Sequence, residues 1–206
     1  MLIRAPAILC ASFAHGEHGA VARLFTADHG LLAAYVAGAR GRMLRPLLIP
    51  GNVLEIELNE RGDSQLASVR LELVVSRGPW LTEPLASAGI GWAAALTAAT
   101  LPEGQPYAAL HSALLALLDA ICHAPSARGW ARALAGYEAL VLREAGYAVG
   151  QGLSAAPPAD MPWAQLLALL DRQGAAIGNR LLADRRRDVM AARAILMDRL
   201  KRISAS

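Results

Sequence analysis

The chain has 206 residues, a formal net charge of +3 and two cysteines. This length allows one large core or two small ones. Cys10 and Cys122 lie far apart in the sequence, which excludes a disulfide framework and a cysteine metal knuckle and fits a reducing cytoplasm.

Two segments raise the question of export or a membrane span. The apolar run that ends at Cys10 is short for a signal peptide, and Leu9 is too large for a lipoprotein cleavage site, so we expect no export. Residues 84–101 contain no charged side chain, but they are mostly Ala, Gly, Thr and Ser. Because strongly apolar side chains drive insertion, we predict a buried helix here instead of a membrane span.

Alternating Val, Ile and Leu in the first third of the chain predict five strands, at about 5–14, 20–26, 31–37, 53–59 and 64–76. Leu54, Ile56 and Leu58 alternate with two glutamates and should face the core. In the fifth strand Leu66, Val69, Leu71, Leu73 and Val75 should also point inward, with a bulge where the period slips. Five short strands with such turns predict a small barrel of the oligonucleotide-binding type.

The period changes to helical after the break at residues 78–84. Apolar stripes predict helices before Pro125, before Gly146, from about Pro162, and over residues 183–203. The fold class is therefore α+β, with strands first and helices second. We predict two domains: residues 1–78, the barrel, and residues 79–206, a helical domain for partners.

The second and third strands should form a hairpin, because Asp28 and Gly30 supply its turn. A glycine-interrupted loop follows, and its arginines Arg40, Arg42 and Arg45 have no acidic residue between them. Guanidinium groups bind phosphate oxygens through paired donors, so the loop is a candidate phosphate-binding element, with Arg23 as a fourth contact on the neighbouring strand. The alternative is a solvated loop in an arginine-rich protein.

No catalytic constellation stands out. The five histidines lack the spacing of zinc ligands, and the serines lack a nucleophile elbow. No glycine-rich phosphate loop precedes a helix. We therefore predict no catalytic residue, no metal site, no cofactor and no enzymatic activity. The aromatic side chains Phe13, Phe25 and Tyr35 lie on barrel strands, where core packing is favoured over base stacking.

Several short stretches together resemble the RecO family of bacterial recombination mediators. The likeness is specific in the first third of the chain and weaker beyond it, and it rests on residues 16–26, His29-Gly30-Leu31, Gly38-Ala39-Arg40, Leu44-Arg45-Pro46, Pro50-Gly51-Asn52, Tyr137-Glu138 and Ala145-Gly146-Tyr147. Many RecO proteins carry a four-cysteine zinc element near residues 148–162. Here that segment has no Cys or His, so it cannot build such a site.

The resemblance implies a cytoplasmic protein that binds single- and double-stranded DNA and anneals complementary strands. It also implies that the protein works with RecR to load RecA onto strands coated by single-stranded DNA-binding protein. The acidic, phenylalanine-ending tail of that protein would need an apolar hole and cations, which we expect at Tyr107, Leu110, Arg128 and Arg132, or else on the terminal helix near Arg186, Arg187 and Arg193. The rival interpretation is an RNA- or protein-binding regulatory module without a role in recombination.

Overall fold

The computed structural model describes residues 2–59, 66–147, 152–182 and 187–203. Within the first range and the start of the second it contains five strands: β1 (Leu2–His15), β2 (Gly19–Thr26), β3 (Gly30–Val36), β4 (Val53–Asn59) and β5 (Ser68–Val75). The five predicted strands are confirmed. Residues 60–65, where the start of the fifth strand was predicted, lie outside the described part.

The strands form a closed barrel in the order β1-β2-β3-β5-β4. Neighbouring strands are antiparallel except for β3 and β5, which pair in parallel at Tyr35 and Ser68. Leu54, Ile56 and Leu58 are buried inside it, as their alternation predicted. The order and closure confirm a barrel of the oligonucleotide-binding type.

β1 is long because it serves two neighbours. Its first half pairs with β4 and its second half with β2, and the register with β2 shifts between Leu9 and Ala11. Such a bulge adds a residue on one strand and bends it, which lets one strand turn around the barrel wall. Beyond the bulge, Ser12 pairs with Ala22 and Ala14 pairs with Ala20, so the side chains of Ser12 and Ala14 lie on the same face of the sheet as those two alanines.

The prediction for β5 was partly wrong. Val69 and Leu71 pack against the barrel core, and the register with β4 shifts opposite Val74, as the predicted bulge requires. Leu66, Leu73 and Val75, however, are exposed. For Leu73 and Val75 the physical reason is that β5 pairs with β3 only at Ser68, so the second half of β5 has a strand on one side alone; Leu66 precedes the strand.

The chain divides into two compact units, one of residues 1–82 and 101–112 and the other of residues 83–100 and 113–206. In the first unit, segment 101–112 returns to the outer face of the barrel. The Gly104 amide donates to the Leu31 carbonyl at 3.0 Å, and the His111 ring contacts Phe25 edge-on at 5.3 Å. The predicted domain boundary after residue 78 stays a prediction.

The helices are α1 (Pro84–Thr100), α2 (Ala108–His123), α3 (Ala127–Glu144), α4 (Trp163–Ala176) and α5 (Arg187–Ile203), with a π-helical turn at Ile177–Leu181 after α4. Gly146 caps α3 as predicted, because its positive φ of 82° lets the amides of Gly146 and Tyr147 donate to the carbonyls of Arg143 and Leu142. α1 buries eight residues, including Trp92 and Leu96, as predicted for this uncharged segment. Across the described residues, no helix combines the length and apolarity needed to cross a membrane.

Candidate nucleic-acid interface

The arginine loop, residues 38–46, follows β3 and begins with a glycine that allows the chain to turn. Gly38 has a φ of 67°, and the amides of Gly41 and Arg45 then donate to Gly38 and Gly41 in a helix-like turn. Ala39 is buried and Leu44 packs against the barrel core. The three arginines, Arg40, Arg42 and Arg45, are all exposed. One side of the turn thus closes the barrel end, while the other presents cations to solvent.

Asn52 fixes the end of this loop. Its side chain is fully buried, and its Nδ2 donates to the carbonyls of Pro46 and Leu47, both at 3.0 Å. Its Oδ1 accepts the Arg77 amide at 2.8 Å, and its backbone carbonyl accepts the Leu9 amide at 2.9 Å. One amide side chain therefore ties the loop to the segment after β5, and the backbone of the same residue ties it to β1. In the sequence, Asn52 stands out only as part of the family likeness.

Asn52→Ala should loosen the loop without touching an arginine. It leaves two carbonyls and one amide without the partner they have now, and each buried group left unsatisfied costs about 1 to 3 kcal/mol. We expect a lower free energy of unfolding in urea and weaker binding to single-stranded DNA. Asn59→Ala, at an exposed asparagine at the end of β4, is the matched control and should change neither. Wild-type DNA affinity in folded Asn52→Ala would show that apolar packing alone holds the loop.

A cleft of about 380 Å³ lies where the arginine loop meets the ends of β1 and β2. The bulge in β1 is what points Ser12 and Ala14 toward it, on the face they share with Ala20. Two of the three predicted loop arginines line the cleft, together with small side chains and glycine that leave its floor open. Its lining residues are Ser12, Ala14, Gly19, Ala20, Ala39, Arg40, Arg45 and Leu48.

The cleft is electropositive. In the part of the chain that the structure describes, it is lined by two guanidinium groups and by no acidic side chain. Among the residues that the structure describes, Arg40, Arg42 and Arg45 have no carboxylate within ion-pair distance, in contrast to Arg4 and Arg23. Uncompensated guanidinium groups beside small residues can accept a phosphate at close range. Arg42 is exposed on the same loop but does not line the cleft.

Arg23 lies apart from this group. It stands on the outer face of β2, between the inward residues Ala22 and Leu24, and forms an ion pair with Glu103. Only 18% of its side chain is exposed. Its charge is therefore compensated within the first unit, and a phosphate would have to displace Glu103. This pairing has no signal in the sequence because the two residues are 80 positions apart.

The three barrel aromatics differ in environment. Phe25 is fully buried, as core packing predicted. Phe13 is 51% exposed, and Tyr35 is half-buried. The preference for core packing therefore holds for Phe25, which the His111 ring contacts, and fails for Phe13, which lies near the exposed end of β1.

The four residues predicted to bind a partner's tail divide between the two units. Tyr107 and Leu110 belong to the first, where Leu110 is fully buried and offers no surface to an incoming ring. Arg128 and Arg132 belong to the second, where the Arg128 guanidinium lies 5.6 Å from the centre of the Trp163 ring. The Nε of Arg132 and the Nε1 of Trp163 are buried and have no hydrogen-bond partner among the described residues. The role of all four residues stays a prediction.

Two further observations bear on chemistry. The described residues contain no group of three or more His, Cys, Asp or Glu side chains that could hold a metal ion. Residues 148–151, part of the segment where zinc was predicted absent, lie outside the described part. Burial raises the pKa of the Cys10 thiol far above its usual value, so this thiol stays protonated and is a poor nucleophile.

A closed five-stranded barrel with an electropositive cleft at one end defines a barrel of the oligonucleotide-binding class. The chain belongs to the RecO family. Residues 1–77 match the family model described as "Recombination protein O N terminal", and residues 81–150 match "Recombination protein O C terminal".

Known relatives carry the same family name. The chain is 38% identical to the DNA repair protein RecO of Phenylobacterium zucineum, over 68% of this chain and 57% of that protein. It is 38% identical to that of Rhodospirillum centenum, over 73% and 59%, and 37% identical to that of a Jannaschia species, over 70% and 58%. The matched region thus spans less than two thirds of each of these relatives.

Proposed function

We propose that this chain is a DNA-binding repair and recombination protein that acts without catalysing a reaction. The observation that carries the proposal is the cleft at the barrel end, where Arg40 and Arg45 lie beside small residues of β1 and β2 and have no carboxylate partner among the described residues. A guanidinium pair in such a cleft suits the phosphate backbone of a nucleic acid. The relatives, all named DNA repair proteins, support DNA as the ligand.

For the finer role we propose what the family likeness implies. The protein binds single- and double-stranded DNA in the cytoplasm, anneals complementary strands, and works with RecR. Together they load RecA onto strands covered by single-stranded DNA-binding protein. Annealing requires contacts that tolerate any sequence, and phosphate contacts have that property because they carry no base information. A cleft lined by arginines and small residues fits this requirement.

A binding comparison tests the proposal. Filter binding of single-stranded DNA, duplex DNA and RNA over a salt series should show retention of both DNA forms, with affinity falling as salt rises. Complementary strands should anneal faster with the protein, without any nucleotide. Strict preference for RNA, or no acceleration of annealing, would contradict the proposed function.

We further propose that Arg128 and Arg132 take the acidic tail of single-stranded DNA-binding protein. The tail's terminal carboxylate can accept from the guanidinium groups, and Trp163 offers an aromatic surface beside Arg128. Replacing both arginines by alanine should cost about 2 to 4 kcal/mol in the binding of a tail peptide. Binding to bare single-stranded DNA should stay close to wild type.

Calorimetric titration with the tail peptide checks this expectation. Arg143→Ala, at an exposed arginine in the last turn of α3, is the control and should bind the peptide normally. Wild-type peptide affinity in the double variant would show that the tail peptide does not bind at α3. The alternative on the terminal helix would then need other cations than Arg193, which is buried and paired with Glu138.

A further inference from the structure

A row of side chains crosses the outer face of β1, β2 and β3 at one height. Phe13 on β1 pairs directly with Val21 on β2, and Val21 pairs directly with Tyr35 on β3. Direct cross-strand partners project to the same face of a sheet, so these three side chains form one continuous apolar surface. Phe13 stands free over half of its area. We call this row the aromatic platform.

Tyr35 is held in place by its neighbours. A side chain at Gly19 would overlap the Tyr35 ring, so the ring lies over the bare backbone of Gly19. On its other flank the His15 ring meets it edge-on, with 5.9 Å between centroids and 77° between planes. A ring fixed in this way loses little conformational entropy when a second ring stacks on it.

The aromatic platform and the electropositive cleft occupy the two sides of the same hairpin end. Ser12, Ala14 and Ala20 face the cleft, whereas Phe13, His15 and Val21 alternate with them and face outward. Gly19 belongs to both, because it lines the cleft and supports the Tyr35 ring. A chain that crosses this hairpin end therefore meets cations on one side and aromatic rings on the other.

We propose that the aromatic platform stacks unpaired nucleobases while Arg40 and Arg45 hold the phosphates of the same strand. This inference rests on the proposed function and adds that the aromatic platform binds the bases of the DNA. A single exposed phenylalanine is ordinary on a protein surface. Three cross-strand partners, an immobilised tyrosine ring and an electropositive cleft one residue away indicate a single-strand site. Bases in a duplex are already stacked, so the aromatic platform selects single strands.

The test separates bases from phosphates. Fluorescence anisotropy compares an oligothymidine of about 15 nucleotides with an abasic strand of equal phosphate number, a length within the range that such barrels cover. The wild type should bind the oligothymidine more tightly. Phe13→Leu keeps an apolar side chain but removes the ring, and it should lose roughly 5- to 150-fold in affinity for each base no longer stacked.

Three further measurements make the expectation specific. Phe13→Leu should leave the affinities for the abasic strand and for duplex DNA unchanged, because neither offers an unstacked base. Phe13→Trp should restore or exceed wild-type affinity for oligothymidine. Val74→Ala, at an exposed apolar residue of β5 away from the aromatic platform, should behave as wild type on every ligand.

The outcomes distinguish base stacking on the aromatic platform from the proposed DNA-binding function on which it rests. Failure to bind any of the three ligands would overturn the proposed function itself. Equal binding of oligothymidine and abasic strand by the wild type would overturn only the aromatic platform. A change of oligomeric mass in Phe13→Leu, with unchanged affinity for oligothymidine, would overturn it too and assign the surface to a protein contact.

Discussion

Glu138→Ala should lower the free energy of unfolding of the helical unit by about 3 to 5 kcal/mol. The Glu138 carboxylate is fully buried and accepts three hydrogen bonds: from Trp92 Nε1 at 2.7 Å and from Arg193 at 3.1 and 2.8 Å. Removing it leaves the Arg193 guanidinium buried without its counter-charge. The large cost arises from that uncompensated cation, more than from the pair's own net contribution.

The surroundings of Arg193 hold its guanidinium group in the buried position beside Glu138. Its guanidinium also donates to the Leu170 carbonyl and lies 5.5 Å from the centre of the Trp92 ring. Gly174 leaves room for it, because a Cβ there would overlap the guanidinium. Side chains and backbone from α1, α3, α4 and α5 thus meet at one ion pair.

Urea unfolding followed by helical circular dichroism measures the effect. Asp198→Ala breaks an exposed ion pair with Arg202 on α5 and serves as the control, with an expected change of about 0.5 kcal/mol or less. Glu138→Met combined with Arg193→Met should recover part of the loss, since no buried charge then remains at this site. Equal stability of the Glu138→Ala and Asp198→Ala variants would contradict the argument.

Local patterns in the sequence were sufficient to predict most of the fold. The alternation around Leu54, the turn at Asp28 and Gly30 and the cap at Gly146 each depend on a few adjacent residues, and all three are confirmed. The exposure of Leu73 and Val75 could not be predicted in the same way. It depends on which strand lies beside β5, and that is a property of barrel closure and not of the β5 sequence.

The candidate site also combines local features, which the sequence predicts, with features that depend on distant residues, which it does not. Arginines on a glycine-rich loop are visible in the sequence, and the structure places two of the three in a cleft. The cleft itself depends on a bulge in β1, and the compensation of Arg23 depends on Glu103, 80 positions away. Asn52 carries no sequence signal of its own, since its three side-chain bonds reach backbone groups at Pro46, Leu47 and Arg77.

Replacing Arg40, Arg42 and Arg45 together by glutamine should flatten the salt dependence of single-stranded DNA binding by about two units of slope. Each phosphate neutralised on a single strand contributes roughly 0.7 to the slope of log affinity against log salt, so three contacts account for about 2.1. The loss should be the same for any DNA sequence, because phosphates carry no base information. Adding Arg23→Gln should change the slope by less than the roughly 0.7 expected for one further phosphate contact, since Glu103 already compensates the charge of Arg23.

A control of equal charge separates local contact from general attraction. Arg70, Arg143 and Arg172 are all exposed, and replacing them by glutamine also takes the net charge from +3 to 0, because three cations are lost. If phosphates bind in the cleft, this control keeps nearly the wild-type slope and the loop variant does not. If the slope of log affinity against log salt falls equally in both variants, DNA binding depends only on the total charge of the protein. If the folded loop variant keeps the wild-type slope and affinity, the arginine loop is not the contact surface.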